Sequence, residues 1–357
     1  MNLNELLKHA VEVKASDVFI VPGLPLTYRV DGRHVRAGEG ALRPEGTQEI
    51  IALIYALANR PFDGFLAERN HDDDFSFAVA GLGRFRVNVF RQRGSLGAVI
   101  RVIPFELPDP AAFHIPPDVM KLADLQKGMV LVTGPAGAGT SSTLACIIND
   151  INRSRSGHII TMEDPIEFVH RHRKSIVTQR EVPTDVATYA EAMRSAMREA
   201  PDVVLLGEMR DAETIATAMT AAEMAKLLFS TLHTMGAANT IDRIIEAVPA
   251  NQQRQIRMQL SMVLQAVVSQ QLVPALDGGV VPAFEVMYAN PAIRNLIREE
   301  KTHQIDSVIA ASNEEGMRTM DQSLFDLAFD GVISKETALQ YGIHQDALRN
   351  RFAAEGL

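Results

Sequence analysis

The sequence predicts an α/β fold in two parts: a small α+β domain over residues 1–105 and a three-layer α/β domain with a mostly parallel sheet over 119–290. Three observations carry this. Residues 129–133 form a short apolar run, a glycine-rich stretch follows over 134–139, and a helical pattern begins at Leu144, giving the order strand, loop, helix. Beyond it, apolar strands alternate with amphipathic helices, and acidic or imidazole side chains stand at the strand ends. Before residue 105, polar and apolar residues alternate between tight turns, the pattern of half-buried antiparallel strands.

Bulk properties narrow the classes. At 357 residues, length alone allows about two domains. Hydrophobic residues make up 46% and charged residues 22%, enough for a proper core in each domain. The net charge of −9 argues against a general nucleic-acid binder, so no nucleic-acid partner is expected. The one cysteine, Cys146, excludes an internal disulfide and a four-cysteine zinc site, and is expected to pack as a small apolar residue. No run of 18 apolar residues exists, and the first ten residues carry Glu5, Lys8 and His9 without a signal-peptide core. A cytoplasmic protein is expected.

In chain order, residues 3–13 place Leu3, Leu6, Leu7, Ala10 and Val13 at helical spacing, and Ser16-Asp17 breaks it. A strand over 18–21, a turn at Pro22-Gly23-Leu24-Pro25 and a strand over 26–30 lead into an Asp31-Gly32 hairpin signal. A helix over 50–58 ends near Pro61. Strands follow over 72–79, 84–91 and 97–103, the first two joined by the turn Gly81-Leu82-Gly83. On the solvent side lie Arg84, Arg86, Arg91, Arg93 and Arg101, either a solvated basic face or, through Arg84, Arg86 or Arg101, arginine fingers for a neighbouring subunit's phosphates. Prolines crowd the stretch from Pro104 to Pro117, so 106–118 reads as a linker. Next come a short helix over 119–125, strands over 158–162, 203–206 and 227–231, and helices over 188–199 and 211–224. From about 250 the pattern is almost all helix, with helical spacing over 256–271, 292–299, 320–329 and 335–341, and the region 291–357 is expected to be helical.

The glycine stretch reads Gly134-Pro135-Ala136-Gly137-Ala138-Gly139-Thr140-Ser141-Ser142. Glycines let backbone N–H groups converge on phosphate oxygens, and the helix N-terminus behind them adds positive potential. The pattern G-x-x-x-x-G-K-[ST] fits from Gly134 to Gly139, and Ser141 stands where a magnesium-binding hydroxyl belongs. Thr140, however, stands where a lysine would reach the β- and γ-phosphates. Taken alone, the stretch is either a nucleotide loop or a plain glycine turn between strand and helix.

Three strand ends supply further chemistry. Residues 203–206 run into Gly207-Glu208, residues 158–162 into Glu163-Asp164, and 227–231 toward His233. In a parallel sheet these ends share one edge with the glycine loop. Glu208 stands where such loop proteins hold Mg²⁺ or its water, and among these carboxylates, Glu163-Asp164 included, one could hold the metal through water while another polarises the attacking water; His233 could sense or hydrogen-bond the γ-phosphate. Alone, His233 also reads as a packed or capping histidine, and Glu208 as a loop carboxylate.

These segments resemble a known family. His158–His170 with Glu163-Asp164-Pro165 is similar to the Asp box of the secretion-superfamily hexameric ATPases, and Met197–Asp211 with Glu208 to their Walker B segment. Thr220-Ala221-Ala222-Glu223 through His233-Thr234 resembles their His box. Ala292-Ile293-Arg294-Asn295-Leu296-Ile297-Arg298-Glu299 is similar to the signature of the PilT branch, the type IV pilus retraction ATPases. The likeness spans nearly the whole chain. It implies a PAS-like N-terminal domain, a RecA-like P-loop domain, ATP or ADP with Mg²⁺ as cofactors, and a hexameric ring. It further implies Glu163 as catalytic glutamate, Glu208 as the Walker B carboxylate, His233 as the His-box histidine, and a pilus inner-membrane platform protein as partner at the cytoplasmic face of the pilus base. Zinc, a feature of pilus extension ATPases, is not expected.

The departures bear on activity. Besides Thr140, Met224-Ala225-Lys226 replaces Thr-Gly-His before the His-box strand, Ala200 replaces an acidic residue, and Phe19 stands in place of a histidine. Lys226 sits at the start of its strand, roughly 20 Å from the far edge at strand rise, so within one subunit it does not replace the lysine. Hydrolysis is expected to fall more than binding, because charge on the γ-phosphoryl group is stabilised mainly in the transition state. The expectation is a retraction-motor subunit with weak or absent hydrolysis, in a ring of identical subunits or mixed with an active paralogue; a non-catalytic regulatory subunit is the alternative.

Overall fold

The structure is a computed structural model that describes residues 3–30, 32–38, 40–67, 72–103 and 106–356. Asp31 of the expected hairpin and Pro104 of the proline-rich stretch lie outside the described residues. The chain divides into two compact units, one made of Met1–Leu107 with Glu167–Val169, the other of Pro108–Ile166 with His170–Leu357.

The first unit contains helices α1 (Leu3–Glu12), α2 (Pro44–Leu57) and α3 (Phe62–Ala67) and strands β1 (Asp17–Ile20), β2 (Thr27–Val30), β3 (Arg33–Arg36), β4 (Asp73–Val79), β5 (Gly83–Gln92) and β6 (Ser95–Ile103). The strands make one antiparallel sheet in the order β3-β2-β1-β6-β5-β4. Along β5 the period-two pattern is realised side chain by side chain: Phe85, Val87 and Val89 are fully buried while Arg84, Arg86 and Asn88 are half-buried. Helices α1 and α2 lay Leu6, Leu7, Ile51 and Ile54 into the same core. Sequence reading missed the short exposed strand β3, which carries no apolar alternation, and α3. It also began α2 six residues late, because the Pro44 start carries no hydrophobic signal.

The second unit contains helices α4 (Pro117–Met120), α5 (Thr140–Ser154), α6 (Tyr189–Ala196), α7 (Ala212–Glu223), α8 (Ala237–Glu246), α9 (Ala250–Val263), α10 (Pro291–Arg298), α11 (Ile305–Ala311), α12 (Met320–Phe329), α13 (Lys335–Tyr341) and α14 (Gln345–Ala354). Its strands are β7 (Gly128–Thr133), β8 (His158–Glu163), β9 (Ile176–Glu181), β10 (Val203–Leu206), β11 (Leu227–Leu232), β12 (Leu264–Pro274) and β13 (Val280–Tyr288). They form one seven-stranded sheet in the order β13-β12-β7-β11-β10-β8-β9, parallel except for β13.

Central strand β7 explains the three layers. Met129 and Leu131 point into the core under α6 to α10, while Val130 and Val132 point into the core under α4 and α5. All four are fully buried, so both faces of the sheet are covered and the strand reads as a continuous apolar run. Helix starts match their sequence signals: Thr188, Asp211 and Asn290 each accept a backbone N–H three residues on, from Glu191, Thr214 and Ile293.

The expected helix over 256–271 is a correction. The helix ends at Val263, and Leu264 opens a strand that runs to Pro274 and pairs with β13 through the turn around Gly278. Because β12 lies between β7 and β13, its side chains are buried on both faces, and the resulting apolar run cannot be distinguished from a helix by spacing. Strand β9 and helices α8, α11 and α14 are further elements that pattern reading did not register.

Candidate functional site

The glycine loop leaves β7 at Thr133 and enters α5 at Thr140. A Cβ at Gly134 would stand 2.2 Å from the backbone oxygen of Gln270, so only glycine lets the loop pass over β12. Gly139 has φ +89° at the N-cap of α5, the left-handed conformation that turns the chain into the helix. Pro135, Ala136 and Gly137 are exposed, whereas Ala138 is buried and its N–H bonds to the Pro135 carbonyl at 3.0 Å. Thr140, Ser141 and Ser142 are half-buried in the first turn of α5. The loop therefore presents backbone and hydroxyls at a helix N-terminus, and Thr140 brings no charge to it.

Because β7, β11, β10 and β8 are parallel neighbours, their C-terminal ends lie on one edge in that order. The glycine loop, His233, Glu208 and Glu163 follow those ends in turn. His233 Nε2 lies 3.7 Å from Glu208 Oε2, and Arg210 Nε lies 2.6 Å from Glu208 Oε1. The His233 side chain is half exposed, which excludes the packed-histidine reading. Glu163 Oε1 accepts from Thr161 Oγ1 at 2.6 Å and from Gln179 Nε2 at 3.3 Å. The Glu208–Arg210 contact raises the Arg210 pKa above its ordinary value.

Tyr189 was not singled out from sequence, yet it sits among these groups. Burial raises its hydroxyl pKa, and Asp164, Glu208 and Glu163 raise it further, so the phenol stays neutral. A Cβ at Gly207 would stand 2.8 Å from Tyr189 Oη and 3.0 Å from the Met162 carbonyl. The glycine before Glu208 is thus required by close packing against α6 and β8. Thr231 Oγ1 donates to the Gly207 carbonyl at 2.5 Å and fixes the same turn from β11.

A second missed residue is Gln270 of β12, buried under the loop. Its Nε2 donates to the Ala138 carbonyl at 2.7 Å, and its Oε1 accepts from Thr143 Oγ1 at 2.7 Å. No sequence signal marks it, since its partners lie far away in the chain.

Other expected residues fall elsewhere. Lys226 precedes β11 and its carbonyl accepts from Gly128 N–H at 3.0 Å, so it stands at the edge opposite the loop. In the first unit, Arg86 and Arg101 face each other across β5 and β6. Arg101 Nε donates to Asp17 Oδ1 at 3.1 Å, Arg86 Nε lies 3.8 Å from Asp74 Oδ1, and Arg84 is half-buried on β5. In the 292–299 segment, Ile293 and Ile297 are fully buried, and Arg294 donates to the Ser261 and Met262 carbonyls at 2.8 and 2.9 Å. Ala292, Asn295, Arg298 and Glu299 remain exposed, and Leu296 is half-buried. Cys146 is buried as expected, with its thiol pKa pushed up to about 12 by burial. Among the described residues, no group of three or more His, Cys, Asp or Glu side chains is placed to hold a metal ion, and no helix is long and apolar enough to cross a membrane.

A family model described as type II/IV secretion system protein matches residues 1–307. The chain belongs to this family. Within it, the chain is 45% identical over 342 residues to the type IV pilus retraction ATPase PilT of Pseudomonas aeruginosa, covering 95% of this chain and 97% of that protein. A twitching motility protein of Neisseria gonorrhoeae is 49% identical over 296 residues, covering 83% and 79% of the two chains. Among solved structures, the pilus retraction motor PilT with bound ADP aligns at a TM-score of 0.89 and 43% identity, over 98% of this chain and 99% of that one. The chain thus shares the RecA-like ATPase fold of that motor over 98% of its length.

Proposed function

We propose that the protein is a subunit of a type IV pilus retraction motor that binds ATP or ADP through residues 134–142 and hydrolyses ATP weakly or not at all. The observation that carries this reading is the joining of Gly134–Ser142, His233, Glu208 and Glu163 along one sheet edge, in a fold that aligns with the ADP-bound motor over its whole length. The backbone of the loop and the N-terminus of α5 receive the phosphates. Thr140 withdraws the one cation of the loop. Binding is weakened, and turnover falls further because the lost contact acts most strongly on the transition state.

The remaining residues take the following roles. Ser141 and Glu208 would hold Mg²⁺, offering the hard oxygen donors it prefers. When bound, the ion supplies charge neutralisation on the β- and γ-phosphates. Glu163, held by Thr161 and Gln179, orients the attacking water. His233 reports the γ-phosphate to Glu208. Arg84, Arg86 or Arg101 supplies cations to a neighbouring subunit in a hexameric ring. The exposed side of the 292–299 helix serves the motor output toward the platform protein at the cytoplasmic face of the pilus base.

A second reading is favoured by Thr140 alone: a non-catalytic subunit that assembles with an active paralogue and tunes its ring. One experiment separates these. ADP affinity and ATP turnover are measured for the purified protein beside Thr140→Lys, each alone and mixed with an active paralogue. Wild-type silence with turnover in Thr140→Lys supports the main reading. A paralogue rate altered by the silent wild type favours the mixed ring. Wild-type turnover equal to that of Thr140→Lys overturns the account of the loop.

A further inference from the structure

We infer that Gln270 is a positioning residue for the nucleotide phosphates, holding the glycine loop in its receiving shape in the absence of a loop lysine. The inference rests on the nucleotide-binding reading above and deepens it. Gln270 is buried, and both ends of its amide are used, on Ala138 O and Thr143 Oγ1 at 2.7 Å each. The amide orientation follows from chemistry: a carbonyl only accepts, so the NH₂ must face Ala138, leaving the oxygen for the Thr143 hydroxyl.

The consequence for the loop comes from peptide planarity. In a trans peptide, the carbonyl of one residue and the N–H of the next point in opposite directions. Gln270 holds the Ala138 carbonyl inward and thereby turns the Gly139 N–H away from β12, to the side on which the loop is open. Its other bond fixes Thr143, in the first turn of α5, and so sets the helix N-terminus against the same residue. The loop also closes on Gln270 at two of its three glycines. A Cβ at Gly134 would meet the Gln270 backbone oxygen at 2.2 Å, and one at Gly139 would meet Nε2 at 3.1 Å.

Gln270 stands on β12, an interior strand flanked by β13 and β7, with the next residue toward the N-terminus, Ser269, paired to Thr133 of β7. The brace is therefore as rigid as the sheet. A loop held in its receiving shape beforehand favours binding whichever residue stands at position 140, since ordering a loop on binding subtracts from affinity.

The test uses the full-length wild type and Thr140→Lys, each with and without Gln270→Met, which keeps length and volume but removes both hydrogen bonds. Fluorescent ADP titration reads phosphate-dependent binding, ligand-observed NMR reads adenosine binding, and thermal unfolding checks the fold. The expected result is at least about a tenfold loss of ADP affinity in both backgrounds with adenosine affinity unchanged. Thr143→Val, as a second variant, is expected to weaken ADP binding in the same way, and its effect should not add to that of Gln270→Met. Unchanged ADP affinity in a Thr140→Lys protein that binds ADP overturns the inference while leaving the nucleotide reading intact. Equal loss for ADP and adenosine also overturns it, because that marks general loosening. Absence of ADP binding in wild type and Thr140→Lys alike overturns the nucleotide reading itself, and this inference with it.

Discussion

His233 and Glu208, brought from two adjacent parallel strands, stand 3.7 Å apart at the sheet edge that also carries the glycine loop. The contact depends on β11 lying between β10 and β7, so that the imidazole is interposed between the carboxylate and the loop strand. Glu208 is also tied to a strong cation, Arg210.

In the Thr140→Lys protein, Glu208→Gln and Glu163→Gln should each lower ATP turnover about 100-fold or more while ADP affinity stays within a few-fold, because in the proposed reading both carboxylates act mainly on the transition state. Steady-state turnover and ADP titration check this. A drop in affinity matching the drop in turnover would assign them to binding instead.

Gly207→Ala should lower turnover in the same background and destabilise the fold by about 1–3 kcal/mol, since its Cβ has no room beside Tyr189 Oη and the Met162 carbonyl. Tyr189→Phe removes one of the two obstacles. The pair Gly207→Ala with Tyr189→Phe should therefore recover part of the lost stability, read by denaturant unfolding. Additive losses would show that the crowding lies elsewhere.

Within the 292–299 segment, Arg294→Met should cost about 2 kcal/mol or more, because Arg294 supplies charge-assisted bonds to the last carbonyls of α9. Arg298→Met, on the exposed side, should stay within about 0.5 kcal/mol. Chemical denaturation of the two variants distinguishes the structural arginine from the outward one. Equal effects would contradict the division.

Glu285 gives a pH dependence with a defined sign. Burial raises its pKa from 4.5 to about 7, against the lowering effect of the Ala237 and Met320 N–H groups, and Asp306 and Asp321 raise it further. His344 and Arg351 line the same 310 Å³ cavity. Between the unfolded and folded values, the native state holds a proton that the unfolded state has released. Stability contributed by this group is thus highest below about pH 4.5, falls as pH rises toward about 7, and is level above it. The difference is roughly 3 kcal/mol. Unfolding of wild type beside Glu285→Gln from pH 5 to 8 checks this: the variant should lack that slope, and parallel curves would refute it.

The sequence by itself determined the α/β class, most elements of both units, the glycine loop with its missing lysine, and the residues that close three strands. These signals are local: period-two alternation on β5, apolar runs in β7 and β10, helical spacing over 188–199 and 211–224, and glycine where the chain turns into α5. Strand order converts them into a site, and the alternation of strand and helix already implied the shared edge. Tertiary structure alone decided the rest. Residues 264–271 became strand because burial on both faces of a sheet erases the periodicity that separates strand from helix. Gln270 under the loop, Tyr189 between the carboxylates and Arg294 on the end of α9 were invisible for a related reason: each acts through a partner distant in the chain, and single-sequence patterns encode neighbours along the chain, not neighbours in space.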